Sequence, residues 1–375
     1  MFAYIVRRIA VTIPVLVVFS FVMYLILYQA ADPRARIRQI PGIRGEDIAR
    51  LTKQMGLDKP WYSGYWDWLK NVVLHGDFGQ SFSNKAAGAS TLLFDRMPAT
   101  LELLLGALIV ATLIGAPLGI FSALRPYSGF DYTATAFAYI GFAMPTFLLG
   151  LLLQLFALWM QQHGWAIIPM VIGIILVLSS VFRIAKGGLT PRIVVAVGVL
   201  LTVISIVFWG SFGGHGNLVL PTASRLSDVN GSLLSFDHAK HLVLPVITLA
   251  VVSIAGWSRY QRSTTLDVLS ADYLRTARAK GLSERTVVGR HALRNALIPL
   301  ISVLAVDIGG VFVGAVVTET VFGWPGVGRL FFESAQNRDI PVAMAVLIFG
   351  AILVVAFNLL ADIAYAITDP RIRLN

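Results

Sequence analysis

Long apolar stretches alternate with short polar ones along this chain, and most run close to the ~20 residues a helix needs to cross a bilayer core. Eight can be marked, at 9–30, 99–124, 133–160, 165–183, 192–212, 242–262, 297–319 and 342–366. Within them apolar residues surround the helix instead of forming one stripe, and the alternation that strands require is missing. The pattern predicts an all-α polytopic membrane protein of about eight spans. The first stretch follows Arg7 and Arg8, as a signal peptide would, but its length suits an uncleaved helix.

Composition agrees. The 375 residues are 57% hydrophobic and 13% charged, with mean hydropathy +0.75, whereas soluble domains spend about a quarter on charge. The net charge of +10 does not mark a nucleic-acid binder, because the basic residues sit between apolar blocks, not on a soluble face. In short loops they set orientation. With the N-terminus in the cytoplasm, Arg7, Arg8, Arg125, Arg183, Lys186, Arg192, the cluster from Arg259 to Arg294, Arg371 and Arg373 all fall on that side. Short outer loops then hold only Arg225, Lys240, Arg329 and Arg338. Both termini are expected to be cytoplasmic.

The organisation that follows is a first transmembrane helix in 1–30, an extracytoplasmic segment in 31–98, and two spans in 99–160. Region 161–241 holds a further pair of spans and an outer loop, and 242–375 holds the remaining spans with a basic loop at 263–299. The pair at 165–183 and 192–212 contains Pro169 and ends in Gly-rich sequence. Removing both leaves the downstream orientation unchanged, as a tolerated insertion requires; a re-entrant or interfacial hairpin is the competing reading. In the extracytoplasmic segment, "GLDKPWYSGYWDWLKNVVLHGDFGQSF" is dense in aromatics. Trp61, Tyr62 and Trp66 are candidates for contact with an external partner, which is compatible with an interfacial helix packed on the outer ends of the spans.

Little in the chain suggests catalysis. No G-x-x-x-x-G-K-[ST] is present, so no phosphate-cradling loop exists here. Without cysteine there is no disulfide, thiolate metal site or thiol nucleophile. His238 and His241 form an H-x-x-H, but only Asp237 accompanies them, and no metal is assigned. Asp307 and Asp362 fall inside predicted spans, where a charge costs about 3 kcal/mol unless sheltered. For Asp307, near mid-membrane, two readings stand: a polar position lining a pathway, or a carboxylate paired inside the bundle. Asp362 lies nearer the cytoplasmic end, where pairing with an arginine is favoured. Glu319 and Glu102 near outer ends need no special role. Pro117 and Pro145 interrupt spans, as hinges or as ordinary bundle packing.

The segment "YLRTARAKGLSERTVVGRHALRNALIP", 273–299, carries six basic residues against Glu284. Helical spacing predicts two short helices with a corner at Gly281, Ser283 as the second cap, and Val287, Val288, Leu293 and Leu297 as apolar positions. Charge alone favours anchoring to anionic lipid; a docking element for a cytoplasmic partner is the sharper reading.

With Asp272 included, that segment closely resembles the EAA loop of ABC-importer permeases, in the form found in the dipeptide, oligopeptide and nickel importer family. "GLDKPWY", "GDFGQSF", "RMPATLELLLGALIVATLIGAPLGI", "HLVLPVITLA", "VVTETVFGWPGVGRLFFESAQNRDIPV" and "DPRIRL" resemble the first permease subunit of that family, over most of 1–160 and 241–375. The resemblance implies a type I ABC importer permease core of six transmembrane helices, to which the inserted pair is added. It also implies half of a heterodimeric pore in a bacterial inner membrane. Tyr273, Ala277, Ala279 and Gly281 would form the helix that docks on a cytoplasmic ATPase, with Arg275 and Arg278 facing the ATPase or neighbouring loops. ATP and Mg would be held by those ATPase subunits, not by this chain. A homologous second permease, an extracytoplasmic substrate-binding protein and membrane lipid complete the implied partners, and nucleic acid is not among them. Peptide is the implied cargo, with nickel or another small molecule as the alternative. A self-sufficient secondary carrier would need an inverted repeat that is not visible. The chain departs from the pattern at Arg275 and Thr276, where Glu and Ala are commonest, and at 161–241, where the family's outer loop is usually shorter.

Overall fold

The computed structural model describes residues 2–30, 45–54, 60–83, 87–163, 199, 220–225 and 235–368, and among these it is helical almost throughout. The spans expected at 165–183 and 192–212, and the C-terminal residues 369–375, lie outside the described residues. An isolated bridge between Gln80 and Gly88 is the sole β feature described. The helices are α1 (Phe2–Ala30), α2 (Gly45–Gln54), α3 (Trp61–His75), α4 (Ala89–Leu124), α5 (Gly129–Ala143), α6 (Thr146–His163) and α7 (Phe236–Leu269). They continue with α8 (Asp272–Ala279), a single turn at Glu284–Thr286, a π-helical stretch at Val287–Ala292, α9 (Leu293–Val321), α10 (Val327–Gln336) and α11 (Ile340–Thr368).

Four described helices, α1, α4, α7 and α11, are long and apolar enough to cross a bilayer, and α5 with α6 makes a fifth if the pair is one span. The stretch expected as one helix at 133–160 is broken, because Met144 adopts φ −85°, ψ 121° ahead of Pro145. The proline ring disfavours the helical conformation for the residue before it, and here Met144 is extended and the helix ends. Pro117, by contrast, sits inside α4, which continues past it.

The chain divides into two units, Met1–Phe147 with Pro245–Asn375, and Leu148–Leu244. In the larger unit α9 packs on α4, α10 and α11, and α11 also packs on α1 and α4. The faces are chosen by side-chain size, since hydropathy is nearly uniform around these helices. Along α4, Ala99, Leu103, Ala107, Ala111, Gly115, Gly119 and Ala123 recur every fourth residue and are all buried. Small residues at this spacing let backbones approach closely. At Gly115 an added Cβ would meet the Ile254 backbone and Trp257; at Gly119 it would run into the carbonyl of Ser258 and the Gln261 side chain. Thus α7 lies so close to α4 at Gly119 that no side chain fits there, while at Gly115 the two helices are in ordinary contact. Asp362, near the end of α11, pairs with Arg8 of α1 at 3.4 Å, as its position predicted.

In the smaller unit the segment 220–225 is fastened to α6: Gln154 Nε2 donates to Thr222 O at 2.5 Å and Gln161 Nε2 to Leu220 O at 3.0 Å.

Candidate functional site

The basic segment forms a small knob ahead of α9. Helix α8 supplies Leu274 and Ala277, and the π-helical stretch supplies Val287 and Ala292, to a four-residue core edged by Val268 and Leu269. Gly281 makes the corner at φ +79°, a conformation that L side chains rarely adopt. Its Cβ direction is open, so the backbone and not crowding requires glycine there. Ser283 stands at the cap position, but its hydroxyl pairs with the Thr286 hydroxyl at 2.9 Å instead of capping a backbone N–H. Leu297 is exposed rather than part of an apolar face, because α9 starts at Leu293 and carries it round to the outside.

The docking candidates divide by exposure. Ala277 is 8% exposed and belongs to the knob's own core, whereas Tyr273, Arg275, Arg278, Ala279 and Gly281 are exposed. Tyr273 is steadied by its hydroxyl, which accepts from Asn295 Nδ2 at 2.9 Å. Arg278 donates twice to Glu284, at 3.1 and 2.9 Å, across the Gly281 corner. Those hydrogen bonds hold the Glu284 carboxyl below its usual range and raise the Arg278 guanidinium above its own. At the knob's base Gln261 Nε2 of α7 donates to Ala296 O of α9 at 3.1 Å.

Asp307 is the middle residue of α9, about 21 Å of helix from either end. It is half-buried, and one oxygen accepts from Trp257 Nε1 of α7 at 2.5 Å. Among the described residues no lysine, arginine or histidine pairs with it. It borders a cavity of about 240 Å³ together with Phe142, Thr146, Leu249, Ser253 and Gly256.

Three further carboxylates carry structure that the sequence reading passed over. Glu319, fully buried, accepts from Thr100 Oγ1 at 2.6 Å and Arg329 N at 2.9 Å, while Thr100 accepts from Val327 N at 2.7 Å. A Cβ on Gly326 would strike the Glu319 carboxyl, and one on Gly328 would strike the Val316 backbone beside it, so the last two glycines of "GWPGVGR" leave space around that group. Asp339, 1% exposed, accepts from Ser81 Oγ at 2.5 Å, Phe82 N at 3.1 Å and Ser83 N at 2.9 Å. This joins "GDFGQSF" to the turn before α11. Asp131 receives Arg262 Nε and Nη2, both at 2.7 Å, with Tyr127 N at 2.9 Å and the Ser122 hydroxyl. The one local signal was the S-x-x-D at Ser128, whose hydroxyl accepts from Asp131 N.

Helix α3 packs on α1 through Tyr65, whose hydroxyl meets Ser20 Oγ at 3.0 Å and whose ring meets Phe21 and Tyr24. Of the three external-contact candidates, Trp61 leans on Phe21 at 5.7 Å between ring centroids, while Tyr62 and Trp66 are exposed. His238 Nδ1 donates to Arg225 O at 3.1 Å and His241 Nδ1 to Asp237 O at 2.9 Å. No group of three or more metal-ligating side chains occurs among the described residues.

Comparison with known proteins adds the following. Residues 189–374 match the family described as "Binding-protein-dependent transport system inner membrane component", and residues 1–104 match "Binding-prot-dependent transport system membrane comp, N-term". The oligopeptide transport system permease protein AppB of Bacillus subtilis (strain 168) is 38% identical over 372 residues, 99% of each chain. The dipeptide transport system permease protein DppB of Escherichia coli (strain K12) is 32% identical over 374 residues, covering 100% of this chain and 99% of the relative. The di/tripeptide transport system permease protein DppB of Pseudomonas aeruginosa (strain UCBPP-PA14) is 34% identical over 378 residues, with 100% and 99% covered.

Proposed function

The chain belongs to the family of binding-protein-dependent transport system inner membrane components, and from that premise we propose that it forms one half of a transmembrane pathway for peptides. The observation that carries the peptide reading is similarity along whole chains, at 32–38% identity, to permeases named for oligopeptides and dipeptides. Such a chain is a membrane permease and not an enzyme. In this reading it pairs with a homologous permease, receives substrate from an extracytoplasmic binding protein, and is driven by ATPase subunits that hold ATP and Mg. The membrane is a bacterial inner membrane, crossed about eight times with both termini in the cytoplasm.

The knob is the ATPase-facing element. Its support is a compact core that presents Tyr273, Arg275, Arg278 and Ala279 outward, next to a hydrogen bond from α7 into α9. A push on the knob therefore reaches two long helices at once. On the opposite side, Tyr62 and Trp66 offer exposed aromatic surface to the binding protein, with Trp61 beneath them.

The test is reconstitution of the four-component complex in liposomes with a labelled tripeptide. ATP-dependent uptake with the loaded binding protein is expected. Stimulation by a nickel-loaded binding protein and not by a peptide-loaded one would overturn the cargo. Uptake by this chain alone, without nucleotide, would overturn the coupling to ATPases. For the knob, Ala279→Glu is the cleaner variant, because any side chain at Gly281 strains the φ +79° corner as well as altering the surface.

A further inference from the structure

The geometry points to the Asp307 cavity as a water-reachable subsite that takes the cationic ammonium end of a substrate on its way through the membrane. The inference rests on the reading that substrate passes along this chain, and it adds the site and the charge. A carboxylate halfway along α9, which the apolar pattern at 297–319 marks as a span, is costly unless something shelters or neutralises it. Here the shelter is a neutral indole: Trp257 donates one hydrogen bond, and no cation among the described residues balances the charge. One negative charge thus faces a space of about 240 Å³.

The rest of the wall fits that role. Ser253 and Thr146 add hydroxyls that can accept further ammonium hydrogens, and Phe142, Leu249 and Val311 supply apolar surface. The volume lies below the roughly 300–1,000 Å³ of sites that enclose a whole small ligand. A space of this size receives one end of a peptide, which suits a site where cargo must bind weakly and leave. Trp257 packs in turn against α4, its Cβ 3.6 Å from where a Cβ on Gly115 would lie, an ordinary van der Waals contact. Arg259, two residues further along α7, is engaged over the rings of Tyr139 and Phe142 at 4.7 and 5.7 Å. It does not line the cavity.

The absence of cysteine from this chain makes a direct test available. In membrane vesicles carrying the whole complex, the Ser253→Cys variant is treated with cationic trimethylammonium-ethyl or anionic sulfonatoethyl methanethiosulfonate, and modification of this chain is followed by mass. The cationic reagent is expected to react faster, and adding Asp307→Asn is expected to lower the cationic-to-anionic rate ratio about tenfold. Asparagine keeps an acceptor for Trp257, so the wall survives while the charge goes. A ratio unmoved by Asp307→Asn would overturn the inference. So would a cysteine that neither reagent reaches with or without ATP, provided Thr146→Cys is also unreached. Peptide uptake by the unsubstituted complex is scored separately. If it fails while the charge-dependent ratio holds, the cargo reading is wrong and the cation subsite stands. If uptake holds while the ratio does not move, the subsite alone is wrong.

Discussion

The two ends of α9 solve the problem of charge in opposite ways. In its last turn, Glu319 is fully buried and accepts from the Thr100 hydroxyl and the Arg329 backbone, and Asp339 further on is equally enclosed. Before its first turn, the knob leaves Arg275, Arg278, Lys280, Arg285 and Arg290 exposed over a core of four residues. One end is complete within the chain. The other has charge to spare and little interior, which is the condition of a surface finished by a partner.

Several substitutions would break or sharpen this contrast, and the largest effect belongs to the enclosed end. Replacing Glu319 with Ala strands the Thr100 hydroxyl and the Arg329 N–H and opens a void beside Gly326. A loss of about 3 kcal/mol is expected, read as early thermal unfolding of the detergent-solubilised complex. A change under about 0.5 kcal/mol would mean the carboxylate is not the keystone of that turn.

Asp131→Ala comes next and separates location from enclosure, because Arg262 lies on the same helix that leads into the knob. With Asp131 gone, a largely buried guanidinium loses both its acceptors. A cost of about 2 kcal/mol is expected, below the full buried-pair range because Arg262 is about a quarter exposed. An unchanged melting point would indicate that only the Glu319 end depends on satisfied charge.

Ala279→Glu should then move stability by less than about 0.5 kcal/mol, the range for exposed positions, yet strongly reduce peptide-stimulated ATP hydrolysis. Normal hydrolysis and uptake would show that the exposed face of α8 is not where the ATPase sits. The smallest effect concerns pH. Glu284 titrates below its usual range, so its contribution is present above the unfolded value and fades only as pH falls through the lower folded one. Near neutral pH the Glu284–Arg278 pair should therefore contribute a constant amount to the knob; a pH-dependent change in coupling that Glu284→Gln abolishes would contradict that.

Much of this was legible in the chain. The ends predicted for α9 and α11 lie within a few residues of those observed, since apolar length is a strong signal. The Gly281 corner was legible because a glycine between two helical patterns leaves few other conformations. What the sequence hid has a common physical character. The packing face of α4 is defined by size at every fourth residue, which a hydropathy profile does not register. The partners of Asp131, Asp339 and Glu319 lie 131, 257 and 219 residues away along the chain. Long-range hydrogen bonds leave no periodicity, so Glu319 read as an ordinary residue near an outer end. Ala277 looked like docking surface because small residues suit both a contact and a tight interior.

The bond between Asp339 and the 81–83 segment also has a meaning in time. Ribosomes add about 5–20 residues per second, so Ser81, Phe82 and Ser83 emerge roughly 10–50 s before the residue that will satisfy them. Throughout that interval two backbone donors and a hydroxyl are without their final acceptor. A chain that ends before residue 339 never supplies that carboxylate, so the 81–83 segment loses the contact that ties it to the turn before α11. On this account a contact left waiting in the first hundred residues is completed by a single late aspartate.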